Sequence, residues 1–236
     1  MSEEQNELMS VETGLTSASP EALGMLLADQ TSKYADETAL SKVTKVGDWL
    51  PYVALMGGNS LEVKRGEFPI GHFCLKKNKK MIDLGKEFIM YLLSWRPKAM
   101  MFEPKVLSYF DTESEDFKKI VARADSTKNP GCGYGPEYLV WLPEVKEFAT
   151  YFLSSKTGRN ESPNIQAILK TTRLCKQKSH LIETEKYSWH GPTTLACDLE
   201  IPLPPIELAK QELDKFNNPP AAVEEVAEEA ESDSRS

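Results

Sequence analysis

Two aromatic runs of strand length, joined by a short polar turn, constrain this chain more than any other feature. They are Glu137-Tyr-Leu-Val-Trp-Leu-Pro143 and Glu147-Phe-Ala-Thr-Tyr-Phe-Leu-Ser154, with Pro143-Glu-Val-Lys146 between them. Strand side chains alternate faces, so Tyr138 and Val140 point one way, Leu139 and Trp141 the other. In the second run Phe148, Thr150 and Phe152 oppose Ala149, Tyr151 and Leu153. One face must fill a core. The other carries surplus aromatics, which either a helix covers or a ligand meets. A basic helix and the strand Lys186-Tyr-Ser-Trp-His-Gly-Pro192 follow. Strand, turn, strand, helix, strand predicts half of a small β-barrel.

The upstream chain supplies more strands and more cations. Phe68–Leu75 and Met81–Leu84 read as a hairpin whose loop, Lys76-Lys-Asn-Lys-Lys80, concentrates Lys76, Lys77, Lys79 and Lys80. Glu87–Phe102 reads as one long strand with Phe88, Met90 and Leu92 on one face and Ile89, Tyr91, Leu93 and Trp95 on the other. Both faces are apolar, as for a barrel strand covered outside by a helix or lining a groove. Pro97 predicts a bulge or an edge, and Trp95-Arg96-Pro97-Lys98 sets an indole among cations there. Val106–Phe110 reads as a strand, Ser114–Arg123 as a capped helix, and Lys128–Pro136 as a Gly/Pro loop. Ser162-Pro163 starts a helix with a basic exit at Lys170, Arg173, Lys176 and Lys178. The pattern from His180 to His190 alternates as one strand, and Ile206–Phe216 closes the fold as an amphipathic helix.

The net charge of −8 argues against a polyanionic partner only until its distribution is considered. Residues 1–40 carry eight acids and one lysine, residues 221–236 six acids and one arginine, so the ends hold −7 and −5 and the middle +4. Local field, not whole-chain pI, decides whether a polyanion docks. The division expected is an acidic disordered segment with a short helix over 1–46, a folded domain over 47–202, a closing helix over 203–220 and an acidic disordered tail over 221–236. No apolar run approaches the roughly 20 residues of a membrane helix, and no secretory signal is recognisable. A cytoplasmic protein without membrane association is expected. Cys74, Cys132, Cys175 and Cys197 lack C-x-x-C spacing and read as buried thiols.

The aromatic hairpin Tyr138–Leu153, the exit Ser154-Ser-Lys-Thr-Gly-Arg159 into a helix, the returning strand Tyr187–Pro192 and the acidic residues of 224–233 together resemble the phage single-stranded DNA-binding proteins of the OB-fold type. The resemblance spans roughly residues 48–200. It implies a mainly β (α+β) fold, an OB-like small β-barrel with flanking helices. It implies sequence-independent binding of single-stranded DNA in replication or recombination, with proteins of those processes as partners and self-association left open. The tail ends Asp233-Ser-Arg-Ser236 without the apolar residue on which such tails commonly end, so masking of the groove and a plain solubilising role stand beside partner recruitment as its readings. The candidate binding residues are Lys76, Lys77, Lys79, Lys80, Arg96, Lys98, Lys156, Arg159 and Lys176 for phosphates, and Trp95, Trp141, Tyr151 and Trp189 for stacking. A protein-interaction or virion-associated role for the aromatic face is the second reading, and a carboxylate-dependent nuclease the third. No cofactor is expected. His72-Phe-Cys74 has no second ligand pair at zinc-like spacing, and no hydrolase or nucleotide-binding motif occurs.

Overall fold

Every other strand is arranged around the long strand β5, Glu87–Met101. The structure, a computed structural model, describes residues 19–33, 44–45, 50–77, 80–102, 106–126 and 131–218. The strands before β5 are β1 (Thr44–Lys45), β2 (Tyr52–Leu55), β3 (Phe73–Lys77) and β4 (Lys80–Gly85). Those after it are β6 (Leu107–Tyr109), β7 (Cys132–Leu142), β8 (Glu147–Phe152), β9 (Leu174–Glu183) and β10 (Ser188–Ala196). The helices are α1 (Pro20–Lys33), α2 (Leu61–Lys64), α3 (Glu115–Ser126), α4 (Lys156–Asn160), α5 (Ser162–Leu169) and α6 (Ile206–Asn217).

The expected OB-like small barrel is not what forms. The strands make one large sheet of ten, in the order β1-β6-β5-β7-β8-β2-β3-β4, with β9 pairing β5 and β10 pairing β9. The hydrogen-bonded path ends at β4 on one side and at β1 and β10 on the other, so the sheet is open and the class is mixed α/β. The barrel expectation failed because it counted strands locally. The first half of β5 pairs β9 (Glu87–Tyr91 with Leu174–Lys178) and the end of the second pairs β6 (Ala99–Met101), so one edge of the strand serves two partners. All pairs are antiparallel except β2 with β8, where Tyr52 lies beside Thr150 and Val53 beside Tyr151.

Both faces of β5 are apolar because both are covered. Phe88, Met90 and Leu92 join Phe73, Leu75, Tyr138, Val140 and Tyr151 in one core, which α5 closes with Ile165, Ile168 and Leu169. The Phe73 and Phe88 rings meet edge-on at 4.8 Å. On the opposite face Tyr91, Leu93, Leu139, Trp141 and Phe148 pack under α1 (Leu23, Leu27) and α6 (Ala209, Leu213, Phe216). A third cluster puts Phe117 and Ile120 of α3 over Ala99, Tyr109 and Cys132.

A bulge in β5 decides where its cations point. The register slips between Leu92, opposite Val140, and Ser94, opposite Leu139. One extra residue exchanges the faces of everything downstream. Trp95, expected beside Tyr91, instead packs on the Phe88–Tyr151 core. Arg96 and Lys98 move to the face of Leu139 and the α6 cluster. The irregularity expected at Pro97 lies upstream of it, and the ladder continues through Pro97, opposite Pro136.

Three smaller expectations are also revised. Lys76 and Lys77 belong to β3 rather than to a loop. Residues 132–136 of the expected Gly/Pro loop extend β7. The single strand expected over 180–190 is a hairpin, β9 and β10, closed by Thr184, whose Oγ1 accepts from Tyr187 N–H. The acidic segments of 1–18 and 219–236 lie outside the described residues. All four cysteines are free, three of them buried.

Candidate functional site

The face that carries Arg96 and Lys98 opens beyond the shelter of α6 into a cavity of about 580 Å³. That size lies within the range of about 300–1,000 Å³ usual for ligand pockets. Strand register builds its floor. Tyr52 stands beside Thr150, Thr150 opposite Leu139, Leu139 opposite Ser94, and Tyr52 also opposite Lys76. One row along, Phe152 lies opposite Glu137 and Glu137 opposite Arg96. Met100, Phe102, Val106 and Phe110 form one wall, Ser154 and Ser155 another. The rings of Tyr52 and Phe102 are 44% and 43% exposed, so the rim offers aromatic faces to solvent.

At the bottom sits a buried trio of charges. Glu137 accepts from Arg96 Nε at 2.8 Å on Oε2 and from Lys98 Nζ at 2.6 Å on Oε1. Arg96 NH2 lies 2.7 Å from the same Oε2. The Arg96 guanidinium is held between the rings of Phe110 and Phe216, 3.9 and 4.1 Å from their centroids, and donates to the Phe216 carbonyl at the end of α6. Lys98 Nζ lies 5.0 Å from the Phe152 ring. One carboxylate between two cations leaves a net charge of +1 in a desolvated place. Burial tends to raise the Glu137 carboxyl, but the charges and hydrogen bonds of Lys98 and Arg96 outweigh it and hold it below the usual carboxylate value. Burial pulls the Lys98 ammonium below its ordinary value, and Glu137 only partly compensates.

Glycines let the serine wall close over this floor. Gly135 faces Lys98 in register, and a Cβ on it would stand 2.1 Å from the Leu153 carbonyl oxygen. Arg159 secures the same turn. It donates to Ser154 O at 2.6 Å, stacks 4.1 Å from the Tyr134 centroid and pairs with Asp125 at 3.1 Å. Ser155 caps α4 by accepting from Gly158 N–H. The wall then leads through exposed Lys156 to Thr157, whose Oγ1 accepts from the Trp189 indole at 3.2 Å. Trp189 is 41% exposed.

The expected binding residues therefore divide. Arg96 and Lys98 lie in the cleft, and Lys156 and Trp189 on the path leading from it. Trp141 is not a stacking surface, because it is buried under α6 with its indole donating to Pro202 O at 2.8 Å. Tyr151 faces the other core, and burial pushes its hydroxyl far up. Trp95 is half-buried on that same core. Lys76 pairs with Glu62 at 2.7 Å, Lys77 pairs with Glu147, and Lys176 shares Glu87 with Lys178, so all three serve ion pairs. Arg159 is committed to the turn. Lys80 is exposed in β4 near Lys77, away from the cleft, and Lys79 lies outside the described residues.

Sequence reasoning missed Glu137, Tyr52, Phe102, Phe110 and Phe152. Glu137 carried a signal. It alternates with Leu139 and Trp141, and an acid on a covered face needs a cation. Among the described residues no three His, Cys, Asp or Glu side chains are grouped so as to hold a metal ion. Nor is any helix among them long and apolar enough to cross a membrane. No protein-family model matches the chain, and neither does any curated protein or solved structure.

Proposed function

We propose that the cleft binds single-stranded DNA with little sequence preference, taking phosphates on its cations and bases on its rim. The observation that carries this reading is the position of Lys98, a desolvated cation with ammonium hydrogens to spare, beneath the half-exposed rings of Tyr52 and Phe102. Lys156 and Trp189 extend the same surface beyond the serine wall. Bases of any identity stack on such rings, while phosphate contacts supply affinity without sequence information. A role in replication or recombination rests on the resemblance alone.

Titrating labelled oligo-dT against the protein at several salt concentrations tests this reading. Two phosphate-binding lysines, Lys98 and Lys156, predict a slope of log K on log salt of about −1.4, since each neutralised phosphate on a single strand contributes about −0.7. Phe102→Ala is expected to weaken binding by about 1–3 kcal/mol, the worth of one stacked base. Binding that ignores salt, or an unaltered affinity in that variant, would count against the reading.

A second reading, a protein partner, has its own observation. Leu181, Tyr187, Trp189 and Leu195 are all exposed on the β9–β10 hairpin. Salt-insensitive association through that hairpin would favour it.

A further inference from the structure

We propose that the trio at the floor of the cleft is a seat for a single phosphodiester, held by Lys98, with Arg96 a positioning residue that does not touch the ligand. The inference rests on the reading of the cleft as a polynucleotide site and adds what the floor selects.

Arg96 is fully engaged. Its Nε and NH2 go to Glu137, its NH1 to the Phe216 carbonyl, and an aromatic ring covers each face of the guanidinium. Its side chain is only 1% exposed, which leaves an incoming anion little of it to meet. Lys98 differs. Of the three hydrogens an ammonium carries, one is given to Glu137 Oε1. Phe152 flanks Nζ, and the cavity lies beyond. Thr150 and Ser154, both lining the cavity, add hydroxyl groups on the side of β8. A phosphate oxygen brought to Lys98 would meet a cation already positioned by Glu137, itself held by Arg96.

Charge then selects the class of phosphate. The trio sums to +1 while largely withdrawn from water at the floor of the cleft. A phosphodiester, with one negative charge, brings the site to neutrality. A phosphomonoester dianion would overshoot to −1, and an uncompensated buried charge of either sign is unfavourable. The floor therefore suits an internal linkage of a strand better than a terminal phosphate or a free nucleotide. Binding along a strand rather than at its end follows from that preference.

The variant Lys98→Met leaves a neutral Arg96–Glu137 pair and so preserves the fold. With oligo-dT of about eight nucleotides, within the usual range of single-strand sites, it is expected to bind about tenfold more weakly. Its salt slope should be shallower by about 0.7, one phosphate contact fewer. The double variant Arg96→Met with Glu137→Gln keeps one positive charge, on Lys98, and should retain the wild-type slope. Its opposite, Lys98→Met with Glu137→Gln, keeps one charge on Arg96 and should not. Competition with thymidine 5′-phosphate and with its methyl ester separates dianion from monoanion, and the ester should compete at least as well. An unchanged slope in Lys98→Met, or several-fold better competition by the dianion, overturns the seat while leaving polynucleotide binding in place. Failure of the wild-type protein to bind oligo-dT at all would instead remove the reading beneath both.

Discussion

Replacing Glu137 by Leu is expected to lower the unfolding free energy by about 3–5 kcal/mol, the usual consequence of removing one member of a buried ionic group. The side chain is 2% exposed and holds Arg96 and Lys98, both also buried. Leucine has similar volume, so the loss would come from two uncompensated cations rather than from a cavity. A triple variant, Arg96→Met, Lys98→Met and Glu137→Leu, should then recover part of the loss, less what Arg96 contributes at the end of α6. Urea unfolding of the three proteins reads this directly, and a triple variant no more stable than the single would contradict it. The pH dependence has a definite sign. The folded Glu137 carboxyl lies below its unfolded value of about 4.3, so its stabilisation is fully present above that pH and is lost as pH falls through the folded value. Lys98 is also depressed in the folded state, so its protonated form costs stability at neutral pH, and that cost is relieved as pH rises toward its unfolded value of about 10.4. Glu137→Leu should abolish the part of the acid loss that belongs to this carboxyl. Identical acid slopes in wild type and variant would show that the carboxyl is not held as the geometry requires.

The second large effect is expected at Gly135, outside the charged trio. Its φ is +155°, and an added Cβ would lie 2.1 Å from the backbone oxygen of Leu153, which cannot swing aside as a side chain would. Gly135→Ala is expected to cost about 3 kcal/mol or more, combining backbone strain of about 1–3 kcal/mol with displacement of the chain after β8. That chain is the serine wall of the cleft, and Leu153 N–H donates to Pro136 O at 3.0 Å just above it. A displaced wall should weaken oligo-dT binding even where the variant remains folded. Gly57→Ala is the matched control, because nothing lies within 4 Å of its Cβ position. Equal melting temperatures for the two variants would contradict the account of the β7–β8 junction.

Much of the secondary structure was legible because local rules govern it. The Ser114 cap, Pro163 at the start of α5 and the alternation along β7 and β8 each depend on near neighbours. The architecture was not legible, because β5 changes partners along its length, and nothing local to Glu87–Met101 says that β9 and β6 take successive halves of one edge. The bulge at Leu92–Ser94 was equally hidden, since an unbroken apolar run carries no mark of a slipped register. That slip reversed the fates of Trp95 and Arg96. Trp141 and Tyr151 showed as surplus aromatics only because the covers, α6 for one and the β3 and α5 core for the other, come from distant parts of the chain.

The central claim is that single-stranded DNA lies in the cleft between Tyr52, Phe102 and Lys98. Photocrosslinking with oligo-dT carrying 5-bromodeoxyuridine, followed by peptide mapping, tests it most directly. Adducts at Tyr52, Phe102 or Phe152, suppressed by unlabelled oligo-dT and reduced in Lys98→Met, are the predicted result. Adducts confined to the β9–β10 hairpin, or none at all under conditions where the oligonucleotide is bound, would contradict it.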